Sequence, residues 1–398
     1  IPTISDRIVQ ECVRHVIEPI AEGQFFEHSY GFRPMRSADM AIARIKRLNF
    51  TAKCYWVVEG DIKGFFDNID HNVMIESLWQ IGIRDKRVLC IIKQMLKAGI
   101  MNECGISELG TPQGGIISPL LANIYLNRFD NFITGDFERK QLQKPHTRRD
   151  GELQAIRKYS NLKTSYYIRY ADDWVILTDS QDAAERLKYK AKRYLKDTLK
   201  LELSDEKTLI TNVTSRPITF LGVEIRLVNK NGMMVNKVSP EKERFKRKMK
   251  SLSRELFYLR KVVTWNKKRL IQEITRINAV IIGLMNYYSM CDQISVVLRK
   301  YAWLLKYTAY KSLKKFGGKW IRANRVSNLI GLHSGHKAHI PAIKYKGMYI
   351  GITDINFASW DNPRVKNQAE NPFTPEGREL YNKRMRKKGL KVRVDEVN

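Results

Sequence analysis

Two runs of β-favouring residues, Tyr166–Tyr170 (YYIRY) and Trp174–Leu177 (WVIL), are separated by nothing more than Ala171, Asp172 and Asp173. So short a connection between extended apolar segments predicts a tight antiparallel hairpin, because a parallel return needs a dozen residues or more. Asp172 and Asp173 then occupy the turn. The segment AKCYWVVEGDIKGFFDNIDH (Ala52 to His71) reads as a strand that runs out at an acid, with Tyr55, Val57, Glu59 and Asp61 on one face at period two and Trp56 and Val58 on the other. Three carboxylates at strand ends can meet on one edge of a sheet, where they repel unless a divalent cation lies between them. Mg2+ suits such a place, since it takes a few carboxylates together with phosphate oxygens and water. On its own, the Asp172-Asp173 pair also fits an ordinary Asp-rich turn.

Between these two acidic segments lies GTPQGGIISPLLANIYLNRFD (Gly110 to Asp130): a turn through Thr111, Pro112, Gln113, Gly114 and Gly115, then a helix that Ser118 and Pro119 can begin. Adjacent glycines let backbone approach a ligand closely, and a helix N-terminus favours phosphate. The surface points to the same kind of ligand. Lys and Arg outnumber Asp and Glu 71 to 41 over 398 residues, a formal charge of +30, while 43% of residues are hydrophobic, so the charge belongs to a folded protein. It is unevenly placed: residues 1–230 carry 35 bases and 29 acids, residues 231–398 carry 36 and 12. A polyanion is the expected partner, and nucleic acid the first candidate. No apolar run approaches the roughly 20 residues of a membrane span. The five cysteines are scattered without a CxxC pair, which argues against a disulfide framework and a Cys-based zinc site.

The basic half begins with helical periodicity. Phe245, Met249, Leu252 and Leu256 form one apolar stripe; Leu270, Ile274, Ile277, Ile281 and Leu284 a second; Leu298, Ala302, Leu305, Ala309 and Leu313 a third. Three amphipathic helices predict a small bundle, with Lys246, Arg247, Lys248 and Lys250 on the basic face of the first as candidate RNA contacts. After Gly317-Gly318 the pattern breaks into short segments ending in NKRMRKKGLKVR, and HSGHKAH sets His333, His336 and His339 three apart, a spacing that raises a metal site without a Cys or carboxylate to complete it. The opening IPTISDRIVQ lacks Met and a signal peptide, so a start inside a longer protein is expected.

The ordered set SYGFRPMRS (Ser29 to Ser37), EGDIKGFFDNIDH (Glu59 to His71), GTPQGGIISPLLANIYLNRFD, YIRYADDWVIL (Tyr167 to Leu177), LELSDEKT (Leu201 to Thr208) and FLGVEI (Phe220 to Ile225) resembles the reverse transcriptase/maturase proteins encoded by group II introns. The resemblance covers residues 1 to about 316 well and the rest loosely. It implies an α+β right-hand polymerase: partial fingers and a palm over 1–230, the palm an antiparallel sheet with helices packed on one face; an all-α three-helix thumb, called domain X, over 231–316; and a small basic DNA-binding-like region over 317–398. It implies an RNA-dependent DNA polymerase in which Asp61 and Asp172 hold two Mg2+ ions, Asp173 completes the acidic cluster and the Ile62 carbonyl is a further ligand. By the same resemblance Phe66, or else Phe65 in its place, lies under the sugar and selects deoxynucleotides, Gln113 with Gly114 lines the dNTP, and Lys207 protonates pyrophosphate. Intron RNA, as template and splicing substrate, and a DNA primer or target are the implied partners, with retrohoming as the biology and a bacterial cytoplasm or an organelle as the setting. The basic fingers residues and template clamp of relatives are not expected in this sequence, nor is their C-terminal HNH nuclease module, since no cysteine follows Cys291. The alternatives are an RNA-binding splicing factor with a degenerate polymerase, and a reverse transcriptase of retron, diversity-generating or CRISPR-associated type.

Overall fold

A computed structural model describes residues 2–97, 109–111, 114–141, 149–262 and 266–387. Helices α1 (Ile4–Glu22) and α2 (Ala38–Thr51) come first, α1 capped by a reciprocal Thr3–Asp6 pair. Strand β1 (Trp56–Gly60) leads to α3 (His71–Gln80), whose N-terminal amides at Asn72 and Val73 are capped by the Asp70 carboxylate, and to α4 (Lys86–Lys97). Helix α5 (Ser118–Gly135) starts at the expected Ser118-Pro119, followed by α6 (Arg149–Tyr159). Strands β2 (Tyr166–Tyr170) and β3 (Asp173–Thr178) make the hairpin, and α7 (Gln181–Leu199) and β4 (Leu209–Asn212) follow.

The four strands form one antiparallel sheet in the order β2-β3-β1-β4. Val58, Tyr167, Trp174 and Ile176 join Leu121, Tyr125 and Phe129 of α5 and Ala184, Ala191 and Leu195 of α7 in one core. The expectation of helices on one face only needs correction. Residues of the opposite parity, Val57, Val175, Leu177, Tyr166 and Ile168, are buried as well, with the Arg44 guanidinium of α2 over the Tyr166 ring and Phe137 edge-on to it. The sequence carries the reason: WVIL is a continuous apolar run, which is how a strand buried on both faces reads.

The chain goes on through β5 (Ile218–Phe220), β6 (Val223–Lys230) and β7 (Met233–Pro240), a three-stranded sheet in that order. Helices α8 (Lys242–Tyr258), α9 (Lys267–Tyr288) and α10 (Ile294–Lys314) bury every residue of the three apolar stripes. Beyond them come β8 (Lys319–Arg322), α11 (Ile330–His333), β9 (His339–Tyr345), β10 (Met348–Gly351) and α12 (Pro375–Lys387), with a sheet ordered β10-β9-β8. Strands β8 and β9 pack on α10.

Two compact units result: Ile1–Leu221 with Arg226–Asn236 and the chain from Pro363 on, and Gly222–Ile225 with Lys237–Asn362. The expected boundary at 230 falls at the end of β6, and that at 316 just after α10. Residues 317–362 cluster with the three helices, so that unit is not all helix. Within the first unit, Lys366 bonds Ser37 and Asp39, Arg36 bonds Gln368, and Arg384 grips Glu370 through two contacts of 2.6 and 2.7 Å. Lys366 and Arg384, in the basic region expected over 317–398, are engaged in this packing. No helix among the described residues is long and apolar enough to cross a membrane.

Candidate active site

The site is built where β1 and the hairpin run out together. Gly60 pairs with Trp174, and Tyr170 pairs with Asp173, leaving Ala171 and Asp172 as the two-residue loop. Only glycine fits at 60, since a Cβ there would lie 2.1 Å from the Trp174 indole. The pairing of β1 with β3 ends at Gly60–Trp174, so Asp61 leaves β1 at the same end of the sheet as the hairpin turn. Asp172 is half-buried and Asp173 exposed. The acids from the two sequence-distant segments therefore reach one end of one sheet.

Asp61 is fixed by its backbone. Its carbonyl accepts from Ser204 N at 2.9 Å and Lys63 N donates to Glu202 O at 2.9 Å, flanking the Ile62–Leu203 bridge. The Ile62 carbonyl takes no part in those two bonds, while its side chain is buried. Lys207, at the end of the turn begun by Ser204, sets its ammonium 3.2 Å from Asp61 Oδ2, with the lysine side chain 70% exposed and the aspartate 32%. Glu59, on the same strand, is engaged elsewhere: its carboxylate accepts from the Thr211 hydroxyl at 2.8 Å and Thr219 N at 2.9 Å, and burial raises its pKa despite those bonds.

The two phenylalanines separate. Phe65 is a core residue, edge-on to Tyr125, and Phe66 is half-buried and packed edge-on to Phe65 at 5.1 Å. The Phe66 carbonyl accepts from Thr111 N at 2.9 Å, Gly110 N donates to Ile69 O at 2.8 Å, and His71 Nε2 lies 2.8 Å from Gly110 O. The start of the glycine turn is thus laid alongside residues 66–71. Gly114 is exposed with φ +80°, and Gln113 lies outside the described residues. His71, which sequence reasoning did not single out, anchors this turn from the first position of α3.

Of the other candidates, Lys246, Arg247 and Lys250 project from α8 into solvent, whereas Lys248 is half-buried, with its ammonium 5.6 Å from the ring centres of both Tyr287 and Tyr288. The histidines are not gathered. His333 is buried with Nε2 3.1 Å from the Thr353 hydroxyl, His336 stacks on Phe357 at 3.8 Å, and His339 opens β9 facing solvent. Among the described residues no group of three or more His, Cys, Asp or Glu side chains is placed to hold a metal by itself. Asp61 nonetheless holds a cation already, the Lys207 ammonium, and a pair of carboxylates at a sheet edge fits Mg2+ when substrate phosphates and water complete the shell.

An antiparallel sheet with acids at one end, the start of a glycine turn laid alongside residues 66–71, and flanking helices make up the body that the reverse transcriptase (RNA-dependent DNA polymerase) family model matches over residues 1–225. The chain belongs to that family, whose members use divalent metal ions. It is 34% identical over 372 residues to the group II intron-encoded protein LtrA of Lactococcus lactis subsp. cremoris, a match spanning 79% of this chain and 61% of that protein. It is 35% identical over 261 residues to the protein YkfC of Escherichia coli (strain K12), across 61% of this chain and 68% of that one. The chain thus spans less than two thirds of the length of LtrA. The solved apo telomerase from Candida tropicalis aligns with a TM-score of 0.42 and 12% identity, covering 77% of this chain and 55% of that one.

Proposed function

We propose that this chain carries the polymerising body of a group II intron reverse transcriptase that also acts as a maturase, binding intron RNA to assist splicing and copying it during retrohoming. The observation that supports the reading is the register Gly60–Trp174 with the closing pair Tyr170–Asp173, which brings the end of β1, where Asp61 follows, and the Asp172-Asp173 turn to one end of the sheet. Asp61 and Asp172 would hold two Mg2+ ions, with Asp173 and the Ile62 carbonyl completing the donors. When bound, the pair lowers the pKa of the primer 3′-hydroxyl and neutralises the triphosphate and departing pyrophosphate.

The protein's own residues do the rest. Lys207 balances Asp61 before substrate arrives, in an exposed pair of a kind that contributes at most about 1 kcal/mol and so yields easily. Released from Asp61, its ammonium can donate a proton to pyrophosphate. Phe66, packed on Phe65 and tied through its carbonyl to Thr111, would set a fixed ring under the sugar and exclude a 2′-hydroxyl. Gly114 and Gln113 would line the nucleotide, and the amides opening α5 offer partial positive charge to phosphate. Lys246, Arg247 and Lys250 would neutralise RNA phosphates, a contribution that weakens steeply with salt.

The test is primer extension on an RNA template. With Asp172→Asn, incorporation is expected to vanish while affinity for intron RNA stays within about twofold, since a carboxylate neutralises no phosphate and phosphate neutralisation dominates affinity. Extension at the wild-type rate would refute the assignment. A wild-type chain that binds intron RNA and promotes splicing but never extends a primer would favour the splicing-factor reading.

A further inference from the structure

We propose that Arg169 is a positioning residue for the acidic turn, its buried guanidinium fixing the Ala171 carbonyl and through it the carboxylates of Asp172 and Asp173. The inference rests on the polymerase reading of that turn. Arg169 is wholly buried on β2, and each guanidinium nitrogen is occupied: Nε donates to Asp130 Oδ1 at 2.7 Å, Nη2 to Asp130 Oδ2 at 2.7 Å, and Nη1 both to Asn123 Oδ1 at 2.9 Å and to Ala171 O at 2.8 Å. Asp130 is equally buried. Burial opposes the charge on Arg169, but Asp130, with Tyr167 and Asp172 adding in the same direction, outweighs it, so its pKa stands above the ordinary value.

Three further contacts tie Arg169 and Asn123 to the segment His28–Gly31. Arg169 N donates to His28 O at 3.1 Å, Tyr30 N donates to Arg169 O at 2.8 Å, and Asn123 Nδ2 donates to Gly31 O at 2.8 Å. Gly31 lies so close that a Cβ would fall 2.2 Å from Ala171 N. The caged residue is one that needs holding, because Ala171 has φ +58°, a left-handed conformation that a side chain disfavours. Stability alone does not account for the arrangement: a buried ion pair is commonly no better than apolar side chains of similar volume. What an apolar pair cannot do is grip a carbonyl in the loop that bears the acids. Outer contacts of this sort orient the ligands of a metal.

Replacing the pair by Arg169→Met with Asp130→Leu deletes the bond to Ala171 O while keeping the core filled, an exchange that buried pairs commonly survive. Its thermal midpoint is expected near that of the wild type, while its affinity for Mn2+, read by electron paramagnetic resonance titration of the chain, falls by about tenfold or more. Single-nucleotide incorporation should drop through kcat, with KM for primer–template unchanged. Asn123→Ala, which spares the ion pair, should lower Mn2+ affinity by about threefold, a fraction of the usual outer-contact effect. Asp172→Asn, measured alongside, separates the two claims. Wild-type Mn2+ affinity in Asp172→Asn refutes the metal-binding reading of the turn. Loss there with wild-type affinity in the folded double exchange, or in Asn123→Ala if the exchange does not fold, refutes the positioning role alone.

Discussion

A single buried histidine shows how closely the first unit is packed near its acidic edge. His28 is buried with Nδ1 3.0 Å from the Tyr30 hydroxyl, and burial first, then the nearby Arg44, Arg36, Arg47 and Arg33, hold its pKa well below the ordinary 6.5. A group whose folded pKa is depressed contributes stability that is present above its unfolded pKa and lost as pH falls towards the folded one. Glu138 works in the opposite sense, since burial raises its pKa above 4.5 and favours the protonated fold. Denaturant melts of the wild type and His28→Gln should therefore diverge below pH 6.5, the wild type carrying an extra loss of about 1.4 kcal/mol per pH unit from this residue. Parallel curves between pH 7.5 and 5.5 would contradict a neutral buried His28. At this scale the sequence was partly legible. The acids declared themselves by strand period and turn length, and the choice between Phe65 and Phe66 required packing. Arg169 was visible only as a charge within YYIRY; the matching signal was Asn123 and Asp130, seven apart on one face of α5.

Among the elements, the three helices of the second unit follow directly from their periodicity, because a stripe at spacings of three and four can be buried in only one way. The sheet was harder to read. Alternation suggests one covered face, and the covering of the second depends on α2 and Phe137, which are distant in sequence from the strands they meet. Helix α8 divides its bases by environment rather than by charge. Lys246, Arg247 and Lys250 exchanged together for Gln should weaken RNA binding and lower the slope of log K against log salt by about 2 to 3, near 0.7–0.9 per lost phosphate contact. Lys248→Gln should lower the melting temperature instead, through the lost contact with Tyr287 and Tyr288, and leave that slope alone. An unaltered slope in the triple exchange would mean that this face of α8 does not meet RNA.

For the molecule as a whole, charge says more about the class of partner to expect than about the architecture. The basic excess after residue 230 reads as one polyanion-binding half, yet the chain from Pro363 on belongs to the first compact unit, and Lys366 and Arg384 there are bound to acids. The bonds of Lys366 to Ser37 and Asp39 join positions some 330 residues apart and leave no local pattern to read. The acidic edge was signalled locally instead, by a strand end and a hairpin turn that the sheet register brings to one end. The most direct test is anomalous diffraction from crystals of the chain with primer–template, dNTP and Mn2+. An anomalous peak within about 2.2 Å of carboxylate oxygens from both Asp61 and Asp172, with the Lys207 ammonium displaced from Asp61, is the expected result, as for a hard cation on oxygen ligands. Ordered dNTP with the Lys207–Asp61 pair intact and no peak bridging the two aspartates would contradict the account.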